Sequence, residues 1–291
     1  MMRRKMFPVL SLSLIAWVVA MQSGCLAMRT PDAAFARKIR ARGQAATPIF
    51  FDAKSADGRK IHAVRIGADS LPTVLLVHGS PGSSDAWLGY LADTALTNRA
   101  RLVAVDRPGF GYSGLGRAER SLVKQAAALL AALDACPGPT TQKVLLAGHS
   151  LGGPLIARFA MDYPERVAGL LLVAGSVDPD LEPRNWWEPV VDNPPVSWLT
   201  PRSLFASNRE IRALQTELHQ MVPLWPKIAC PVIVLHAQND RLVPVGNTDF
   251  ARKMLAGNPD LRVRILPDGD HFILWNRHPI VRDALLELLK K

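Results

Sequence analysis

Residues 143–158 read KVLLAGHSLGGPLIAR. Val144–Ala147 is a short apolar run, the pattern of a parallel strand buried on both faces. Gly148-His149-Ser150-Leu151-Gly152 follows, and an amphipathic helical stretch follows that. A serine between a strand and a helix must sit on a sharp turn, where its own backbone is strained. Glycines two before and two after remove the side chains that would collide there. The hydroxyl then stands above the sheet, facing the N–H groups that open the next helix.

Outward from this turn the chain alternates strand and helix. Thr47–Asp52 and Lys60–Ile66 flank Ser55-Ala56-Asp57-Gly58, a hairpin pattern. Val74–Val77, Leu102–Val105, Ala168–Val173, Val232–Leu235 and Arg262–Leu266 read as further strands. Leu122–Leu133, Gly246–Leu255 and Pro279–Leu289 carry apolar residues at helical period. The expected fold is α/β, a doubly wound and mostly parallel sheet. Right-handed crossovers place every strand C-terminus on one edge, where ligands of such sheets bind. His78, Asp106, Ser150 and the loops after Leu235 and Leu266 therefore converge.

The stretch 178–222 breaks the alternation. It holds six prolines and three tryptophans, Trp186, Trp187 and Trp198. It is too long and too apolar for a plain connection, so it reads as a small cap insertion over the edge that carries Ser150. The core is then 47–177 with 223–291. Trp186 and Trp187 are the expected substrate-facing residues of the cap.

Bulk properties narrow the rest. The chain has 291 residues, is 48% hydrophobic and carries a net charge of +10. That suits one large domain with a core. The basic residues form no dense run and no nucleic-acid motif, so no nucleic-acid partner is expected; they read as a solvated basic surface that suits an anionic membrane or an acidic partner. Of three cysteines, Cys136 and Cys230 precede non-adjacent strands and are read as free thiols. No Cys/His spacing suggests a metal, and no cofactor is called for.

The N-terminus has the form of an export signal. MMRRK is basic, and Met6–Met21 is a 16-residue uncharged, mostly apolar run. That is short of the ~20 residues that span a bilayer. Ser23-Gly24-Cys25 follows and resembles the lipobox of bacterial lipoproteins, although Gln22 stands where that pattern usually has an apolar residue. Residues 1–25 are thus a signal segment with Cys25 as lipidation site, and 26–46 a tether or loose leading helix. The expected location is the bacterial envelope, membrane-anchored and facing the periplasm. Plain cleavage and an uncleaved anchor are the alternatives.

A serine hydroxyl is a weak nucleophile without a base, and the base needs a group that orients it. His271 follows the last strand, and Asp240 lies in Gln238-Asn239-Asp240 after Leu235. Asp178 and Asp270 are competing acids. The order Ser, Asp, His is the one this kind of fold uses.

The motifs HGSPGSSDAW at 78–87, DRPGFGYS at 106–113, GHSLGG at 148–153, QNDRLVP at 238–244 and GDHF at 269–272 resemble those of the α/β-hydrolase fold superfamily. The likeness is to its capped branch of epoxide hydrolases, haloalkane dehalogenases, C–C hydrolases, perhydrolases and proline iminopeptidases. It runs from about Thr73 to the C-terminus. The resemblance implies Ser150 as nucleophile, His271 as base and Asp240 as acid, with the backbone N–H groups of Ser80 and Leu151 as oxyanion hole. Dehalogenases and epoxide hydrolases of this branch use an aspartate where Ser150 stands. A serine hydrolase of small-to-medium acyl substrates is therefore expected, an ester, lactone or similar. An aminopeptidase of the iminopeptidase type or a C–C hydrolase is the alternative. Such peptidases hold an amine with cap carboxylates, a role open to Glu182, Glu188 and Glu210. A non-catalytic binder on the same fold is the reading from another class.

Overall fold

The computed structural model describes residues 16–21, 27–138, 143–183 and 185–290. Eight strands form one sheet: β1 (Ile49–Lys54), β2 (Lys60–Ile66), β3 (Thr73–Val77), β4 (Arg101–Val105), β5 (Val144–His149), β6 (Val167–Val173), β7 (Val232–Ala237) and β8 (Leu261–Leu266). Their spatial order is β1-β2-β4-β3-β5-β6-β7-β8. The hairpin β1-β2 and the β2-β4 pair are antiparallel, and every other pair is parallel. This is the doubly wound sheet expected from the alternation. Every residue of β3, β4, β5 and β7 is buried, as an apolar run covered on both faces requires.

Among the described residues, helices of eight residues or more are α1 (Asp32–Ala41), α2 (Leu122–Asp134), α3 (Gly152–Asp162), α4 (Arg202–Met221), α5 (Asn247–Met254) and α6 (His278–Leu288). One face of the sheet packs against α2, α3, the C-terminal half of α4 and α5, through residues such as Leu129, Leu155, Leu218 and Ala251. The other packs against α1 and α6, through Phe35, Ile39, Val281 and Leu285.

Within the stretch read as a tether, 26–46, more than half of the described residues 27–46 are exposed, but one helix docks on the core. Phe35 and Ile39 of α1 are buried in the core, four residues apart on one helix face. Met28, Arg29 and Thr30 are bonded to core loops. The sequence offered only two large apolar side chains on this short helix, Phe35 and Ile39, too few to separate a loose helix from a docked one. Residue 25 lies outside the described residues, and so does most of the signal segment. Among the described residues no helix is long and apolar enough to cross a membrane. Cys136 and Cys230 are free thiols.

Between β6 and β7 the chain makes short helical turns at Pro179–Leu181, Glu188–Val191 and Val196–Leu199, then the 20-residue helix α4. The buried residues of α4 include Ser203, Ala206, Ser207, Glu210, Leu214, Leu218 and Met221, the three-and-four stripe of a helix lying on the core.

Candidate active site

Ser150 sits at the turn between β5 and α3 with φ +54°, a left-handed conformation rare for a residue with a side chain. Its N–H donates to the Val173 carbonyl at 2.9 Å, and its carbonyl accepts from Gly153 N–H at 2.8 Å. The flanking glycines are there for space. A Cβ on Gly148 would lie 2.2 Å from the Gly152 carbonyl oxygen, and one on Gly152 would lie 2.5 Å from that of Val77. Leu151 precedes the first residue of α3, where backbone N–H groups have no partner within the helix.

His271 and Asp240 meet after β8 and β7. His271 Nδ1 is 2.8 Å from Asp240 Oδ2. The other oxygen, Oδ1, accepts from Leu242 N–H at 2.9 Å and Val243 N–H at 2.8 Å. Burial pushes the Asp240 carboxyl up, but the bond from His271 and these two N–H groups outweigh it and hold the pKa below its usual value. An ionised Asp240 can only accept, so Nδ1 of His271 carries the proton and Nε2 is left as a base. Ser150, Leu151, Ser80 and His271 all line one cavity of about 460 Å³.

The competing acids lie elsewhere. Asp178 accepts from Asp180 N–H and caps the turn that follows. Asp270 accepts from Phe272 N–H and Asn276 Nδ2 on the surface. Two further histidines brace the centre. His149 donates from Nε2 to the His271 carbonyl at 3.0 Å. Burial, and then the neighbouring His271, lowers its pKa to about 3, so it stays neutral. His236 donates from Nε2 to the Val243 carbonyl at 2.9 Å and lies 3.5 Å from Asp240 Oδ2.

Ser80 is held by a network that sequence reasoning did not foresee. Arg107 and Glu210 form a buried ion pair, their side chains 0% and 1% exposed. Arg107 Nη1 reaches Glu210 Oε1 at 2.9 Å, and Nη2 reaches Oε2 at 3.1 Å. Arg107 also donates to the His78 carbonyl (2.9 Å), the Gly79 carbonyl (3.0 Å) and Gln125 Oε1 (2.8 Å). Glu210 further accepts from Gln125 Nε2 and from Ser80 Oγ, each at 2.9 Å. All five guanidinium N–H bonds and all four carboxylate lone pairs are thereby used. Three consecutive residues, His78, Gly79 and Ser80, hang on this one pair. Their strap passes close to the serine: a Cβ on Gly79 would lie 2.9 Å from Ser150 Cβ. The signal that could have found Glu210 was the period of α4, which puts it in line with Ser203, Ala206, Ser207 and Leu214 on the buried face.

Of the two expected cap contacts, Trp187 lines the cavity. Trp186 is 85% exposed and is not among its lining residues. The other walls are mainly apolar, Val191, Leu204, Ile211, Leu214, Leu242 and Val243 among them, with the carboxylates of Glu182 and Glu188. Glu210 is taken by Arg107 and is not among the lining residues.

A model of the alpha/beta hydrolase family matches residues 74–283. An uncharacterized protein of Mycobacterium bovis is 36% identical over 130 residues, 42% of this chain and 36% of that protein. The chain thus spans little more than a third of the first curated relatives it matches. A pimeloyl-[acyl-carrier protein] methyl ester esterase of Aeromonas hydrophila is 37% identical over 106 residues, 36% of this chain and 38% of the esterase. Among solved structures, a bacterial membrane phospholipase A superposes with a TM-score of 0.67 at 23% identity, covering 100% of this chain and 98% of that one.

Proposed function

The chain belongs to the alpha/beta hydrolase family, and we propose that it is a serine hydrolase acting through an acyl-enzyme on small-to-medium hydrophobic acyl substrates. The observation that carries this reading is the 2.8 Å contact of His271 Nδ1 with Asp240, beside a serine held at positive φ in the same cavity. His271 Nε2 takes the Ser150 proton as Oγ attacks the acyl carbon. The oxyanion that forms is held by the N–H groups of Leu151 and Ser80. His271 returns the proton to the leaving group, and water then repeats the sequence to release the acid. Serine acyl chemistry uses no cofactor.

The cavity sets the substrate class. About 460 Å³ with largely apolar walls holds an acyl group of modest length. The likeness over 106 residues to a pimeloyl-[acyl-carrier protein] methyl ester esterase supports ester cleavage as the leading reading. The insertion 178–222 acts as the cap, and Trp187 is its contact with the acyl chain. A second reading, an aminopeptidase, is favoured by Glu182 and Glu188 in the cavity wall. Burial and the nearby carboxylates of Asp178 and Glu188 push the Glu182 pKa up, which an ammonium group would reverse. For location, the proposal is export with lipidation at Cys25.

Turnover of p-nitrophenyl esters of increasing chain length, beside aminoacyl arylamides, tests the reading. The expected result is ester hydrolysis with an optimum at short or medium chains, abolished in Ser150→Ala. Cleavage of arylamides without esters would favour the aminopeptidase, and no turnover of either would favour a binder.

A further inference from the structure

We infer that the cavity mouth is a docking surface for a lipid bilayer, and that the acyl substrate enters from the leaflet. Two features of one edge of the molecule lead there, and the inference rests on the proposed anchoring of the N-terminus.

The first is the distribution of exposed apolar side chains. Among the described residues, thirteen large hydrophobic side chains are exposed. Eight of them lie on the stretch 178–222 or on the loops that carry Asp240 and His271 and the turn after the latter. Scattered single residues would be ordinary, but concentration at one edge marks an interaction surface. Trp187, Leu204 and Leu242 both line the cavity and are exposed, so they form its rim. Trp186, Trp198 and Trp275 are exposed beyond it. Tryptophan is the side chain that bilayer interfaces favour, with an apolar ring and one polar N–H.

The second is the shortness of the leader. The Met28 carbonyl accepts from Ser83 Oγ at 2.7 Å. Arg29 Nη1 donates to the Gly111 carbonyl at 2.5 Å and its guanidinium covers the Tyr112 ring. Thr30 Oγ1 donates to Asp85 at 2.6 Å. Ser83 and Asp85 follow β3, and Gly111 and Tyr112 follow β4, so residues 28–30 are pinned to the edge that carries Ser150. A lipid on Cys25 would be only three residues away, at most about 10 Å of extended chain. The anchor cannot let the molecule stand off from the membrane; it brings this edge against it. In the uncleaved chain the result is the same, because Trp17 Nε1 donates to the Leu199 carbonyl on this face at 3.2 Å.

A water-dissolved protein partner would not explain a leader this short.

The test uses the full chain carrying Ser150→Ala, in vesicles of phosphatidylglycerol and phosphatidylethanolamine with brominated acyl chains. Tryptophan emission should be quenched by the bromines. Trp186→Phe with Trp198→Phe should remove at least about half of that quenching. The same pair of substitutions should leave turnover of a soluble short-chain ester unchanged in the active protein. Protein that pellets with the vesicles but shows no quenching, or equal quenching in both forms, refutes the docking while leaving the anchor standing. Protein that does not pellet refutes the anchor and the docking together. A dimer in solution that Trp186→Ser dissociates would give the patch to a second copy, and also refute it. None of these outcomes bears on whether Ser150 is a nucleophile.

Discussion

Glu210→Ala is the sharpest perturbation of the network that holds His78, Gly79 and Ser80. It would leave the Arg107 guanidinium fully buried with two of its five N–H bonds unmade. Ser80 Oγ and Gln125 Nε2 would lose acceptors as well. Removing one partner of a buried pair costs about 3–5 kcal/mol, most of it the stranded charge. Urea unfolding of the two proteins should therefore differ by about that amount. Arg107→Met with Glu210→Leu strands no charge and should cost less than the sum of the single changes. The network also ties down the Ser80 hydroxyl and the carbonyls of His78 and Gly79. In the proposed mechanism the Ser80 N–H holds the oxyanion, so in variants that fold kcat on a soluble ester should fall by at least about tenfold while KM changes little. A Glu210→Ala cost below about 1 kcal/mol would show that the pair is not desolvated. A normal kcat would show that the strap holds its place without it.

Asp240→Asn should lower kcat by a factor on the order of 10⁴ through the wrong imidazole tautomer, and Asp178→Asn should change it little; steady-state kinetics of the two would reverse the assignment if the losses were exchanged. Trp187→Ala should move the ester chain-length optimum upward and Trp186→Ala should not, as read from rates across a p-nitrophenyl ester series. The Asp240 pKa is lower in the folded protein than its ordinary value of 3.8. Its contribution to stability is therefore complete above that value and is lost as pH falls through the folded-state one. Urea midpoints between about pH 5 and about pH 2 should show this loss in the native protein and not in Asp240→Asn.

The sheet was legible because its strands are buried runs bounded by Gly and Pro turns, a signal that depends only on local sequence. Ser150 was legible from its two glycines: Gly148 meets backbone within the motif, and Gly152 meets Val77 and His78 at the end of the neighbouring strand β3. His271 and Asp240 could be paired because the topology puts both at strand ends. What failed were contacts that depend on which helix face meets the core. Glu210 looked like one of several cap glutamates, and its burial follows from the pitch of α4. Trp186 and Trp187 are adjacent and identical in type, so composition could not say that one turns inward and the other outward. The leader 26–46 looked loose because its tie to the core is made by two apolar residues and by polar bonds at 28–30.

The claim on which the account stands is that Ser150 becomes acylated. Incubation with an aryl phosphonate ester, followed by intact-mass and peptide mass spectrometry, measures this directly. The prediction is one equivalent of adduct on the peptide carrying Ser150, formed at a rate that drops sharply in His271→Ala and vanishes in Ser150→Ala. An adduct on another residue, or ester turnover that persists in Ser150→Ala, would contradict it.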